Sequence, residues 1–262
     1  MPAGRLILER HGNVAELRID NPGKYNAMSL SMWQDLAGHA RQLAREDDVR
    51  VLLVRGQGDR AFVSGADIAE FDTSRSPESG SGAYDRAVDA AQDALIACPF
   101  PAVASIRGVC MGGGLGIAMA CDLRYSSLDA RFRMPAARLG LGYGFSGIHR
   151  MVGVLGAATV SELFFTARTF DGAEARRLRL VHDAFEADEL DRRVSELVAA
   201  IAANAPLTVR LAKRSIRLAM GEPSKEDILQ VEAGRQHCLA SADYAEGRLA
   251  FAEKRPAVFK GN

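Results

Sequence analysis

The chain has 262 residues, enough to bury a sizeable core in one large domain or two smaller ones. Its 33 basic and 33 acidic residues cancel, so no net field draws it to nucleic acid or to an anionic membrane, and a small-molecule ligand is expected instead. The N-terminus has no basic-then-apolar leader pattern, and the longest uncharged apolar stretch, 108–121, is too short to span a bilayer. A soluble, cytoplasmic protein is the expectation.

In chain order, "LILERHGNVAELRIDNPG" alternates apolar and polar residues on both sides of His11 to Asn13, the pattern of a hairpin. "SLSMWQDLAGHARQLARED" then predicts a helix, with Ser29 or Ser31 as N-cap and Met32, Leu36, His39 and Leu43 along one face. "VRVLLVRG" at 49–56 reads as a buried strand and completes a β-α-β unit. Residues 72–83 are rich in serine and glycine and read as a surface loop. The helix "YDRAVDAAQDALIAC" leads through Pro99 and Pro101 into the strand "AVASI", then a helix opened by Gly112, Gly113 and Gly114, then the strand "LRYSS". Beyond residue 157 helices dominate: Ala157 to Thr166, a capping box at Asp171-x-x-Glu174, and segments near 188–203, 206–220, 224–240 and 242–253.

Most familiar chemical motifs are excluded. Cys98, Cys110, Cys121 and Cys238 form no C-x-x-C pair and predict buried, reduced thiols; the five histidines lack metal-ligand spacing, so no metal is expected. "GYGFSG" at 142–147 fits G-x-G-x-x-G, but no long β-branched strand precedes it. No P-loop occurs, and "GFSGI" misses the nucleophile-elbow spacing by one position, leaving Ser146 without an evident triad.

The glycine triplet stands apart. Glycine costs roughly 1 kcal/mol against alanine inside a helix, so three at a helix start require a reason. The first turn of a helix leaves N–H groups unpartnered, and the missing side chains admit a ligand whose carbonyl develops negative charge. Close packing of helix on strand is the alternative. "RAFVSGADIAEFD" at 60–72 offers a second exposed amide at another β-α junction, and two such amides can converge on one oxygen.

Six stretches together resemble the crotonase superfamily, the enoyl-CoA hydratase/isomerase family, along nearly the whole chain. They are "NPGKYNAMS", "RAFVSGADIAEF", "FPAVASIRGVCMGGGLGIAMACDLRYSS", "ARFRMPAARLGLGYGFSG", "FFTARTFDGAEARRLRLV" and "EGRLAFAEKRPAVF". The resemblance implies an α/β fold, a spiral of ββα units over 1–200, with a helical trimerisation region over 201–262 and assembly as a homotrimer or homohexamer. It implies acyl-CoA thioester substrates and no separate cofactor, coenzyme A being part of the substrate. The family's two oxyanion-hole amides map onto Ala66 and Gly113. Coenzyme A contacts map onto Lys24, Ala27, Ala66, Asp67 and Ile68, with Phe251 and Lys254 completing the site, across a subunit boundary if need be. For Asp67 a structural role, bonding loop amides, is expected.

The same resemblance marks departures. The two glutamates that hydratases of this family use fall at Gly116 and Ala136, and an aspartate position of some isomerases and a dehalogenase falls at Gly144. Neither hydrogen nor methyl carries a proton, so simple hydration is not supported. Tyr143, which replaces a common proline, is a candidate catalytic group, with packing as the alternative. Arg138 is expected as a surface or interface charge and His149 in a structural hydrogen bond; Asp72, Glu78 and Tyr84 lie on or beside the loop. A non-catalytic acyl-CoA-binding protein on the same scaffold is the competing reading.

Overall fold

The computed structural model describes residues 3–67 and 82–262. The alternation around His11 to Asn13 closes into the expected antiparallel hairpin of β1 (Arg5–His11) and β2 (Val14–Asp20). Helix α1 (Leu30–Leu43) starts at Ser29, whose Oγ accepts from the Met32 N–H at 3.2 Å. Its buried face is Met32, Trp33, Leu36, Ala37, Ala40 and Leu43. His39 is only half-buried, one residue off the buried stripe it was expected to join.

Strand β3 (Val51–Gly56) pairs in parallel with β2, so the first β-α-β unit forms as read. β5 (Ala102–Ile106), β7 (Leu123–Ser127) and β10 (Asp183–Phe185) follow in parallel, giving a six-stranded sheet of order β1-β2-β3-β5-β7-β10. Strands of such a sheet are covered on both faces. That is why "VLLV" and "AVASI" read as unbroken buried runs rather than as alternation.

A second sheet escaped the sequence. Short strands β4 (Ala61–Val63), β6 (Val109–Met111) and β8 (Arg131–Arg133) run parallel, with β9 (Thr169–Phe170) antiparallel at the edge. At two or three residues each they are too short for periodicity to register. Each belongs to a recurring step: β3 in the large sheet, β4 in the small one, then α2 (Gly82–Ala97); β5, β6, then α3 (Gly113–Ala120); β7, β8, then a 3-10 turn (Ala136–Leu139) and α4 (Phe145–Leu155). This is the expected ββα spiral. Helix α4 was not predicted, because its first residues look like a glycine-rich loop.

The main core lies between the sheets and helices around Trp33, Phe62, Tyr84, Phe100 and Phe132. A smaller cluster lines the other face of the large sheet, where Leu190, Val194 and Val198 of α7 (Leu190–Ala203) cover Val51, Leu53 and Val103. Helices α5 (Ala157–Thr166) and α6 (Gly172–Arg177) connect the two regions. Asp171 caps α6 through the Glu174 N–H at 2.9 Å, but the Glu174 carboxylate turns to Arg168 and Arg177, so the expected capping box is only half made. The complete box lies at Ser224 and Asp227.

The C-terminal helices α8 (Pro206–Ala219), α9 (Lys225–Ala240) and α10 (Ala242–Glu253) sit outside this core. Pro206 opens α8 at its first turn, where its missing N–H costs nothing. Buried Lys213 ties α8 to the sheet through Asp122 at 2.6 Å and the Phe100 carbonyl at 2.9 Å. No residue of α9 is buried, while Ile216, Met220, Ile228, Leu229, Tyr244, Leu249 and Phe251 are exposed.

All four cysteines are free; Cys98, Cys110 and Cys121 are buried as expected, and Cys238 is half-buried. Burial disfavours the thiolate, pushing Cys98 up to about 11 and Cys121 to about 12, with Cys110 raised further. Among the described residues, no single helix is long and apolar enough to cross a membrane.

Candidate active site

Each glycine of the triplet answers a separate demand. Gly112 holds φ +49°, a conformation that L side chains rarely adopt, in the turn between β6 and α3. A side chain on Gly114 would run into the carbonyl of Val63, so this glycine lets α3 pack on β4. Gly113 stands between them, where a Cβ would lie 3.0 Å from the Trp33 ring and 3.7 Å from the carbonyl carbon of Gly65. That carbon belongs to the peptide group whose nitrogen is Ala66.

The peptide Gly65–Ala66 is fixed by its own bonds. The Met28 N–H donates to the Gly65 carbonyl and the Asp67 N–H to the Met28 carbonyl, both at 2.8 Å, while Gly65 takes φ +122°. This ladder passes over the N–H of Ala66. Among the described residues neither the Ala66 nor the Gly113 N–H is used in a backbone hydrogen bond. The packing reading of the triplet therefore holds at Gly114, while at Gly113 the missing side chain leaves the backbone facing the Trp33 ring and the Gly65–Ala66 peptide.

Both amides border one cavity of about 330 Å³, within the size range of ligand sites. Trp33, Met111, Met134, Leu139 and Leu141 give it apolar walls, and Ala136, Tyr143 and Gly144 line it as well. Tyr84 supports its base: buried, it donates to the Met28 carbonyl and accepts from the Trp33 indole N–H, both at 2.9 Å. Tyr143 borders the cavity, and its ring meets Phe164 edge-on at 5.2 Å, a packing contact.

Two positions without carboxylates differ in their surroundings. Ala136 lines the cavity directly. Gly116 does not, because the side-chain amide nitrogen of Gln92 occupies the space a Cβ there would need. Gln92 is 2% exposed, and its Oε1 accepts from the Arg150 guanidinium, which also reaches Asp93 at 3.0 Å. One turn earlier on α2, Asp89 accepts from Ser146 Oγ at 2.8 Å. Sequence reading missed Asp89, Gln92 and Arg150 as site residues; the available signal was Gln92, a polar residue between apolar Ala91 and Ala94 on the buried side of a helix.

Lys24, Ala27, Ala66 and Asp67 come together beside the cavity. Lys24 Nζ meets Asp67 Oδ2 at 2.5 Å, and Ser64 Oγ donates to the Lys24 carbonyl at 3.1 Å. Asp67 thus bonds the Lys24 ammonium, while the loop that follows it, where amide partners were expected, lies outside the described residues. Phe251, 87% exposed, borders a different hollow with Leu211 and Phe259, and Lys254 caps α10 at φ +56°. Ile68, Asp72 and Glu78 lie outside the described residues. Arg138 is exposed as expected; His149 is exposed too, its ring 5.7 Å from Phe145, so an aromatic contact replaces the expected hydrogen bond.

Comparison with known proteins agrees across the chain. Residues 9–262 match the family model described as enoyl-CoA hydratase/isomerase. The short-chain-enoyl-CoA hydratase of Clostridium acetobutylicum is 30% identical over 261 residues, and the match covers 97% of each chain. The crotonyl-CoA hydratase of Syntrophomonas wolfei is 31% identical over 256 residues, again covering 97% of each. A crystal structure of an enoyl-CoA hydratase/carnithine racemase from Magnetospirillum magneticum superposes with a TM-score of 0.93 at 35% identity, covering 98% of this chain and 96% of that one. An enoyl-CoA hydratase structure from Bacillus anthracis gives 0.90 at 27% identity, covering 98% and 99%. With the fold, the six sequence blocks and these relatives in agreement, the chain belongs to the enoyl-CoA hydratase/isomerase family of the crotonase superfamily.

Proposed function

We propose that this protein is an acyl-CoA enzyme that stabilises a thioester enolate between the N–H groups of Ala66 and Gly113. The observation that carries this reading is the Gly65–Ala66 peptide lying against Gly113 at the edge of an apolar cavity, with both N–H groups unspent. Two fixed donors aimed at one carbonyl oxygen favour the charge that develops when the α-carbon loses a proton. They need no reorganisation when the reaction occurs. Lys24, Ala27, Asp67 and Ile68 would receive the coenzyme A portion at the neighbouring corner, and no separate cofactor or metal enters the reading.

Assembly belongs to the same proposal. The exposed apolar residues concentrated on α8 to α10 favour residues 201–262 as the contact region of a homotrimer or homohexamer. In such an assembly Phe251 and Lys254 would be available to a neighbouring subunit's coenzyme A site. A cytoplasmic location is proposed with it.

The bare positions Gly116 and Ala136 favour a second reading, a protein that binds acyl-CoA without transforming it. Single-turnover mass spectrometry on a panel of coenzyme A esters separates the two. Conversion of any ester supports the enzyme; saturable binding with complete recovery of unchanged esters supports the binder.

A further inference from the structure

The carboxylates absent from positions 116 and 136 leave the cavity with little proton-transfer chemistry on α3 and the 3-10 turn. The opposite wall supplies it. Among the described residues lining the cavity, the carboxylates are Asp85 and Asp89, both on α2. Asp85 is exposed in the first turn of the helix, whereas Asp89 is half-buried. Asp89 is also one turn from Gln92, whose amide covers Gly116, three residues along α3 from the proposed oxyanion amide. Asp89 is thus the half-buried member of the pair, and Ser146 holds its carboxylate.

The wall is braced by α4, whose Ser146 and Gly147 line the cavity as well. Ser146 and Arg150, one turn apart on α4, grip Asp89 and Gln92, one turn apart on α2. Arg150 carries only donors and occupies Oε1 of Gln92, so the amide nitrogen is the end that faces Gly116. Ser146 donates to Oδ1 of Asp89 and fixes the carboxylate plane. Gly144 and Gly147, bordering the same cavity, keep that approach open.

We infer that Asp89 is the proton-transfer group of this site, a catalytic residue positioned by Ser146, and that the reaction is proton transfer at carbon rather than addition of water. This rests on the proposed acyl-CoA reading. The Asp89 carboxylate takes a proton from the carbon beside the thioester carbonyl; the C–H electron pair moves into the C–C bond as the carbonyl pair moves onto oxygen, facing Ala66 and Gly113. The carboxylic acid so formed returns the proton to the same carbon, or to the γ-carbon of a β,γ-unsaturated chain, where the double bond shifts. One C–H bond breaks and one forms. Nothing else is consumed.

The test uses the full-length protein, 3-butenoyl-CoA and butanoyl-CoA in heavy water, with deuterium uptake and double-bond migration read by mass spectrometry and proton NMR. Calorimetry measures binding of each ester in parallel. Wild type is expected to incorporate deuterium, and Asp89→Asn to lose at least about 10² in rate, the usual worth of a general base, at unchanged affinity. Ser146→Ala keeps the carboxylate but frees it, and is expected to lose about tenfold in kcat with KM unchanged, the scale of one hydrogen bond. It also serves if Asp89→Asn fails to fold. Exchange or migration at the wild-type rate in folded Asp89→Asn, loss in Asp85→Asn but not in Asp89→Asn, or wild-type binding of both esters with neither exchange nor double-bond migration each overturns the assignment. No binding of either ester overturns the acyl-CoA reading first and the assignment with it.

Discussion

The cavity has two walls made of different material. One is backbone: the peptide at Gly65–Ala66 and the first turn of α3, where side chains are small or absent and the N–H groups are the proposed chemistry. The other is side chain: Asp89 and Gln92 on α2, held by Ser146 and Arg150 on α4. A backbone wall advertises itself, because glycine in a helix is unfavourable and must be explained. A side-chain wall built across two helices, residues 57 and 58 positions apart, leaves no such local mark.

Breaking the backbone wall has the largest expected effect. Gly113→Pro removes one N–H at a helix position where proline is otherwise tolerated, and turnover is expected to fall by about 10² to 10³. Gly113→Ala is the control: it keeps the N–H but adds a Cβ 3.0 Å from Trp33, so a smaller loss is expected. Steady-state rates on any turned-over ester, with circular dichroism for folding, check the pair. Equal losses in both variants would make Gly113 a packing residue.

Rebuilding a side-chain wall on the other side sharpens the comparison. Wild type is expected to hydrate crotonyl-CoA at least about 10²-fold more slowly than a two-glutamate relative, since it lacks both groups that activate water and deliver a proton. Gly116→Glu with Ala136→Glu alone is expected to give no gain, because Gln92 occupies the entry beside position 116. Adding Gln92→Ala makes room, and the triple variant is expected to hydrate faster than the double one. Absorbance of the enoyl thioester follows all three. Brisk hydration by the wild type would contradict the reading of these positions.

The walls meet at Tyr84, which stands on α2 and bonds Trp33 and Met28 beneath the amides. Tyr84→Phe leaves a buried indole N–H and a carbonyl without this partner and is expected to cost about 1–3 kcal/mol of stability, measured by urea unfolding. The same variant is expected to lower turnover less than Gly113→Pro does.

The smallest effect concerns thiols beneath the two walls. Cys110 on β6 and Cys98 at the end of α2 both ionise more readily when the chain unfolds, since burial raises them from an ordinary 9.0, Cys98 to about 11. Groups raised in the folded state leave stability intact below the unfolded value and remove it as pH climbs past it. The melting temperature is therefore expected to fall between about pH 9 and 11, and Cys98→Ser is expected to soften that fall. Alkylation of Cys98, Cys110 and Cys121 at neutral pH is expected only after unfolding.

By itself the sequence determined the hairpin, α1, the parallel strands, the C-terminal helices and the two amide-bearing junctions. Each is a local pattern: alternation, a serine cap, a run of β-branched residues, or glycine where glycine is costly. The resemblance added Gly116 and Ala136 as bare positions, but not what fills the space beside one of them. Only the tertiary structure decided that Gln92 does, that Asp89 lines the same cavity, and that Ser146 belongs to Asp89 rather than to a nucleophile elbow. It also decided the small sheet and α4, the first because its strands are stabilised by neighbours from distant turns of the spiral, the second because its loop-like start becomes a helix only when packed on α3 and α5. Contacts between residues far apart in the chain carry no periodicity, and periodicity is what a single sequence displays.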